Sequence, residues 1–138
     1  MIINIDFDGT IVEHRYPDIG NGVPGAISVI TQLWLEGHKL ILWTMRSGEE
    51  LDAAVDYLNG YGVPLYGVNE NPDQWSWTES PKAYAHITID DSALGCPLRP
   101  SMNSKRPMVD WSVVEQMLID QGVLSGEPYI KGKDYGNE

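Results

Sequence analysis

Four short apolar runs, each too short for a helix, alternate along this chain with stretches of helical spacing, and that alternation narrows the folds open to it. The runs are residues 2–5 (Ile-Ile-Asn-Ile), which lead into Asp6, then 39–44 with Leu40, Ile41, Leu42 and Trp43, then 65–68, and finally 86–90 with Ile87 and Ile89. Short runs rich in β-branched residues and closed by turn residues suit strands buried in a parallel sheet. Between the first two runs, Pro24 opens a segment in which Ile27, Ile30, Leu33 and Trp34 recur at helical spacing before Gly37 stops it. Ser47 and Glu50 form a capping-box pattern ahead of Leu51, Ala54, Val55 and Leu58, and Gly60 ends that helix. Asp110 can cap a last helix carrying Trp111, Val114, Met117 and Leu118, stopped by Gly122. Strands alternating with helices predict a mostly parallel sheet with helices on both faces. We read a single domain over residues 1–125, with no internal repeat, and a polar, glycine-rich tail over 126–138 that is expected to be loosely ordered.

Composition excludes several classes of function. At 138 residues and 42% hydrophobic, the chain can bury a core without staples. Nine basic against 20 acidic residues give a net charge of -11, which repels nucleic-acid backbones at long range and argues against nucleic acid as the primary partner. Cys96 is the single cysteine, so no internal disulfide can form, which fits a reducing compartment. Neither a signal peptide nor an apolar run of membrane-spanning length is apparent, so the sequence reads as cytoplasmic, with no membrane partner.

The first run ends on Asp6-Phe7-Asp8-Gly9-Thr10, two carboxylates one residue apart followed by a glycine turn. Alone, that pattern is a solvated turn as readily as a site. It is not an EF-hand loop, because counting from Asp6 the glycine falls fourth and Pro17 falls twelfth. Its meaning changes with the other strand ends. Thr44 closes the second run, Asp90-Asp91 closes the fourth, and Lys82 stands shortly before it, so one sheet edge would carry all of them. Carboxylates gathered in one crevice repel, and a divalent cation offsets that; an oxygen-only set suits Mg²⁺. His14, His38 and His86 lack metal-binding spacing, which argues against zinc. Gly20 to Gly25 fits G-x-G-x-x-G but follows a polar loop rather than a strand, and no phosphate-binding G-x-x-x-x-G-K-[ST] occurs.

In order, Asp6-x-Asp8-Gly9-Thr10, Thr44, Lys82 and Asp90-Asp91 resemble the four motifs of the haloacid dehalogenase-like (HAD) phosphohydrolases, a resemblance that spans residues 2–91. It implies a Rossmann-like three-layer α/β/α sandwich and a phosphatase in which Asp6 attacks phosphorus and Asp8 acts as general acid and base. It further implies that Thr44 binds a phosphoryl oxygen and that Lys82 supplies counter-charge. Mg²⁺ would be held by Asp6, the main-chain carbonyl of Asp8, and Asp90, with Asp91 behind them. Backbone N–H groups around Phe7, Asp8 and Met45 would complete a phosphate cradle.

Many members of that family carry a cap domain, inserted soon after the first motif or between the second and third, but here residues 11–23 make only a polar loop or small flap and 45–81 are taken up by a helix, a strand and the loop 69–81, so a capless, open site is expected. An open site suits a phosphorylated small molecule, a larger substrate, or closure by a second copy of the chain. Trp75 and Trp77, in the loop 69–81, would either help close the crevice or pack over the sheet edge. Arg15 and Arg46 are candidate substrate contacts, with solvated surface roles as the alternative. Lys82 lies eight residues before Asp90, so any helix there is about a single turn. The alternative to turnover is a HAD-like module that accepts a phosphoryl group or holds metal without releasing product.

Overall fold

In a computed structural model, which describes residues 1–127, the chain is an α/β domain built on four parallel strands. The strands are β1 (Ile2–Ile5), β2 (Lys39–Leu42), β3 (Gly67–Val68) and β4 (Ile87–Ile89), ordered β3-β2-β1-β4. The α-helices are α1 (Ala26–Leu35), α2 (Gly48–Gly60) and α3 (Trp111–Asp120), and a small antiparallel pair joins β5 (Leu98–Arg99) to β6 (Met108–Val109). The last residues of the expected loose tail, from 128 on, lie outside the described residues. No helix among the described residues is long and apolar enough to cross a membrane.

The expected three-layer sandwich needs correcting, because all three α-helices share one face. Strand register aligns Ile3 with Leu40 and Ile87, and Ile5 with Leu42 and Ile89. Alternation then points these side chains to one side of the sheet. There Ile3, Ile5, Leu40, Leu42 and Ile89 join one core with Ile30 and Leu33 of α1, Ala54 and Leu58 of α2, and Val114 and Leu118 of α3. By the same register Asn4, Ile41 and Thr88 line the other face. Over that face runs the segment 69–86, tied down by a hydrogen bond from Asn4 Nδ2 to the Ala83 carbonyl (3.3 Å). Pro72 and Pro81 interrupt this segment, and a 3₁₀ turn at Gln74–Ser76 is its regular element. The single-turn helix expected next to Lys82 does not form.

Topology decides where chemistry can sit. From β1 the chain steps outward to β2 and β3, then returns to the far side of β1 as β4. The strand order therefore reverses direction between β1 and β4, and ligands of open α/β sheets bind outside the carboxyl ends of the strands at such a switch point. Asp6 and Asp90 are the first residues beyond β1 and β4.

Candidate active site at the carboxyl ends of β1 and β4

The site begins where β1 runs out of ladder partners. The Asp6 N–H still bonds the Ile89 carbonyl (3.0 Å), after which the chain turns, with the Phe7 carbonyl accepting the N–H groups of Thr10, Ile11 and Val12. Phe7 itself is fully buried. Gly9 makes this turn at φ +81°, and a Cβ there would collide with His14 Nε2 and Asp91 Oδ2, so any other residue is strained and must displace those side chains. The next residue, Thr10, is also fully buried and joins both halves of the site. Its hydroxyl donates to Asp6 Oδ2 (2.9 Å) and accepts the Asp91 N–H (3.1 Å).

This turn is also held from the far end of the chain. Trp111 Nε1 donates to the Thr10 carbonyl (2.7 Å), and the Val109 N–H donates to the Gly9 carbonyl (2.9 Å). The carboxyl-terminal helix, which the motif resemblance left unassigned, thereby props up the loop that bears the two carboxylates. The segment 11–23, expected to be a polar loop or small flap, is anchored too: Ile11, Val12 and Val23 are buried, and Val12 bridges to Asp8 and Gly22.

Asp6, Asp90 and Asp91 each place one carboxylate oxygen within 4.8 Å of the others. His14 Nε2 lies 2.6 Å from Asp91 Oδ2, and Asp90 Oδ1 accepts both the N–H and the hydroxyl of Ser92. Burial pushes Asp6 up to about 8; a hydrogen bond shared with Asp91 and the charge of Asp90 add to the shift, while the Thr10 hydroxyl opposes it. Three carboxylates this close repel one another when ionised, and a hard cation that displaced the Asp6 proton could offset that repulsion; the all-oxygen donor set fits Mg²⁺. Asp91, expected behind the metal ligands, contributes an oxygen to the cluster itself.

Asp8 faces elsewhere. Arg46 Nε and Nη2 bond Asp8 Oδ2 and Oδ1, each at 2.8 Å. The remaining guanidinium donors go to the carbonyls of Pro17 (3.1 Å), Asp18 (2.7 Å) and Glu50 (3.3 Å), while the rings of Phe7 and Tyr16 lie near its faces. Arg46 is 1% exposed, with all five N–H donors engaged. It is therefore a buried staple between the Asp8 turn, the flap and α2, and the reading of Arg46 as a substrate contact is corrected. Its pKa is raised above the ordinary arginine value, first by the hydrogen bonds to Asp8.

The cavity above these groups encloses ≈490 Å³ and is lined by Asp6, Asp8, Asp90 and Asp91 together with Thr44, Met45 and Arg106. Thr44 is placed by Asn69, whose Oδ1 accepts the Thr44 N–H (2.7 Å), and its own hydroxyl accepts the Arg46 N–H (3.2 Å). Asn69 holds a left-handed φ of 54° just after β3, a conformation that asparagine tolerates better than most residues. Lys82 does not line this cavity. It lines a neighbouring one of ≈580 Å³ on the Asn4 face, with Trp43, Trp77 and Tyr84. Trp75 instead bonds Glu70 through its indole N–H (3.1 Å), so neither loop indole covers the carboxylates. Arg15 is exposed on the flap, outside the cavity.

Sequence reasoning missed Thr10, His14, Asn69, Arg106 and Trp111. Thr10 carried a signal, being a hydroxyl four residues after the first carboxylate. The others come from segments whose path across the site is set by tertiary packing.

The fold and site together define a Rossmann-like α/β domain with a carboxylate cluster at its topological switch point. A comparison with family models gives no match, and neither does a comparison with curated proteins. Among solved structures, a conserved protein from Bacteroides thetaiotaomicron is similar, with 37% sequence identity and a TM-score of 0.72 over 88% of this chain and 91% of that chain. The chain belongs to the same family as that protein.

Proposed function

We propose that this chain is a small, capless HAD-like phosphatase that hydrolyses a phosphomonoester with Mg²⁺ through an aspartyl phosphate on Asp6. The observation that carries the reading is the meeting of Asp6, Asp90 and Asp91 within 4.8 Å at the switch point, inside an open cavity. Asp6, Asp90 and the Asp8 main-chain carbonyl would hold Mg²⁺, with Asp91 in reach. When bound, the cation offsets carboxylate repulsion and charge on the phosphoryl oxygens.

In the first step an Asp6 oxygen bonds to phosphorus as the bond to the leaving oxygen breaks, and that oxygen takes up a proton. In the second step water attacks phosphorus, gives its proton to the waiting base, and frees inorganic phosphate and Asp6. The Thr44 hydroxyl accepts from Arg46 and keeps its own proton to donate to a phosphoryl oxygen. No carboxylate pairs with Lys82 among the described residues, so its ammonium is free to swing from the neighbouring cavity toward the phosphoryl group. Asp8 is the proton carrier by its place two residues after the nucleophile. Both its oxygens are gripped by Arg46, so the fork must open on one side before Asp8 can serve.

That grip favours a second reading, in which Asp6 accepts a phosphoryl group and holds it. Hydrolysis of an aryl phosphate separates the two. Steady Mg²⁺-dependent turnover that disappears in Asp6→Asn supports the phosphatase. Stable labelling from a phosphoryl donor without turnover supports the acceptor, and neither signal sinks both.

A further inference from the structure

We infer that Arg106 selects the substrate, and that this substrate is a phosphomonoester carrying a second anionic group close to the phosphate. The inference rests on the phosphatase reading of the cavity and adds the class of molecule it takes.

The cavity's charges lead to it. Its lining holds Asp6, Asp8, Asp90 and Asp91 against the cationic side chains Arg46 and Arg106. Arg46 is consumed by Asp8 and by three carbonyls, so it has no donor left for a ligand. Arg106 makes no ion pair among the described residues, although four carboxylates share its cavity. Its guanidinium is therefore the cation in this lining still open to a ligand, and a planar fork of donors matches a carboxylate or phosphate best.

The loop that carries Arg106 is built against the site. Glu13, 4% exposed, accepts the N–H groups of Met102 (3.0 Å) and Asn103 (3.3 Å) and the Asn103 side-chain amide (3.0 Å). A buried carboxylate satisfied by three donors from one loop fixes that loop to the flap. Beyond the loop, β6 bonds the Gly9 carbonyl through the Val109 N–H. The arginine thus stands between one attachment to the flap, at Glu13, and one to the turn that bears Asp6 and Asp8, at Gly9. With the phosphoryl group at Asp6, the far end of a short substrate meets Arg106. A neutral leaving group leaves the guanidinium unused, whereas an anionic one pairs with it, although Arg106 itself is exposed, through the fork of donors.

Equilibrium binding of two non-hydrolysable phosphonates tests this without requiring turnover. Phosphonoacetate carries the second anion, and ethylphosphonate does not. Calorimetric titration of the wild-type protein in Mg²⁺ is expected to give tenfold or greater preference for phosphonoacetate, about 1.4 kcal/mol. The preference should collapse below about threefold in Arg106→Gln and be partly kept in Arg106→Lys, since a lysine retains the charge but not the fork. Equal affinities in the wild type overturn the inference. So does a preference that survives Arg106→Gln, because it would come from the metal site alone. A preference that depends on Arg106 in a protein that hydrolyses neither a plain aryl phosphate nor a carboxylate-bearing one sinks the phosphatase reading and leaves Arg106 as an anion selector.

Discussion

Arg46 and Asp8 form a two-pronged ion pair, with both contacts at 2.8 Å and side chains only 1% and 17% exposed. The second carboxylate of the motif is therefore a structural anchor as well as a candidate proton carrier. Removing one member of such a pair strands a buried charge. Arg46→Met is expected to cost about 3–5 kcal/mol in urea unfolding. The double variant Asp8→Asn with Arg46→Met should be more stable than the sum of the two single losses predicts, since no charge is then left unpaired. Strict additivity would show that the two residues act independently.

The buried Asp6 makes stability depend on pH. In the metal-free fold its pKa stands at about 8, against 3.8 for a free side chain. Below the lower value both folded and unfolded chains hold the proton, and the fold bears no penalty. As pH rises toward the higher value the unfolded chain releases a proton that the native state keeps, so stability falls across that window and levels off above it. Denaturation in EDTA should therefore show lower stability at pH 8 than at pH 5, with most of the difference removed by Asp6→Asn. Mg²⁺ should raise the melting temperature more at pH 8 than at pH 5. A melting shift independent of pH would place the cation somewhere other than this cluster.

Thr10 ties the Asp6 carboxylate to the backbone of Asp91. Thr10→Val keeps the shape but leaves the Asp91 N–H without its acceptor, at a cost of about 1–3 kcal/mol. Thr10→Ser keeps the hydroxyl and gives up a methyl, roughly 1 kcal/mol. Chemical denaturation of the pair decides the point: if serine is the costlier change, packing rather than hydrogen bonding governs the position.

Gly9→Ala sets strain against function. At φ +81°, with His14 and Asp91 filling the space a Cβ needs, the substitution should destabilise by more than about 1 kcal/mol and shift both side chains. Thermal unfolding measures the first effect. Weakened Mg²⁺ binding, read by calorimetry, measures the second, and an alanine variant that binds the cation like the wild type would separate the turn from the cluster.

Local pattern made the sheet readable. The β-branched run before Asp6, the run before Asp90 and the helical spacing of Leu51, Ala54, Val55 and Leu58 each express a preference that packing reinforced. Strand ends were less legible: β2 stops at Leu42 because the Thr44 N–H turns to the Asn69 side chain, a contact 25 residues away. The one-sided arrangement of helices was hidden because strand–helix alternation by itself predicts cover on both faces, whereas Pro72 and Pro81 interrupt the segment 69–86 that crosses the second face. Within the site, Asp6, Thr44, Asp90 and Asp91 were visible as strand ends on one edge. Arg46 was visible only as a charge; that it is buried depends on three carbonyls brought from the flap and α2.

The bond from Trp111 to the Thr10 carbonyl bears on how the protein is made. Every residue of the four motifs has been added to the growing chain once Asp91 is in place, yet the turn that aims Asp6 is still missing the indole that holds it and the strand partner at Val109. During synthesis, a ribosome-bound chain would hold the chemical groups for a stretch before it holds their geometry. Competence would arrive late, with the docking of the last helix.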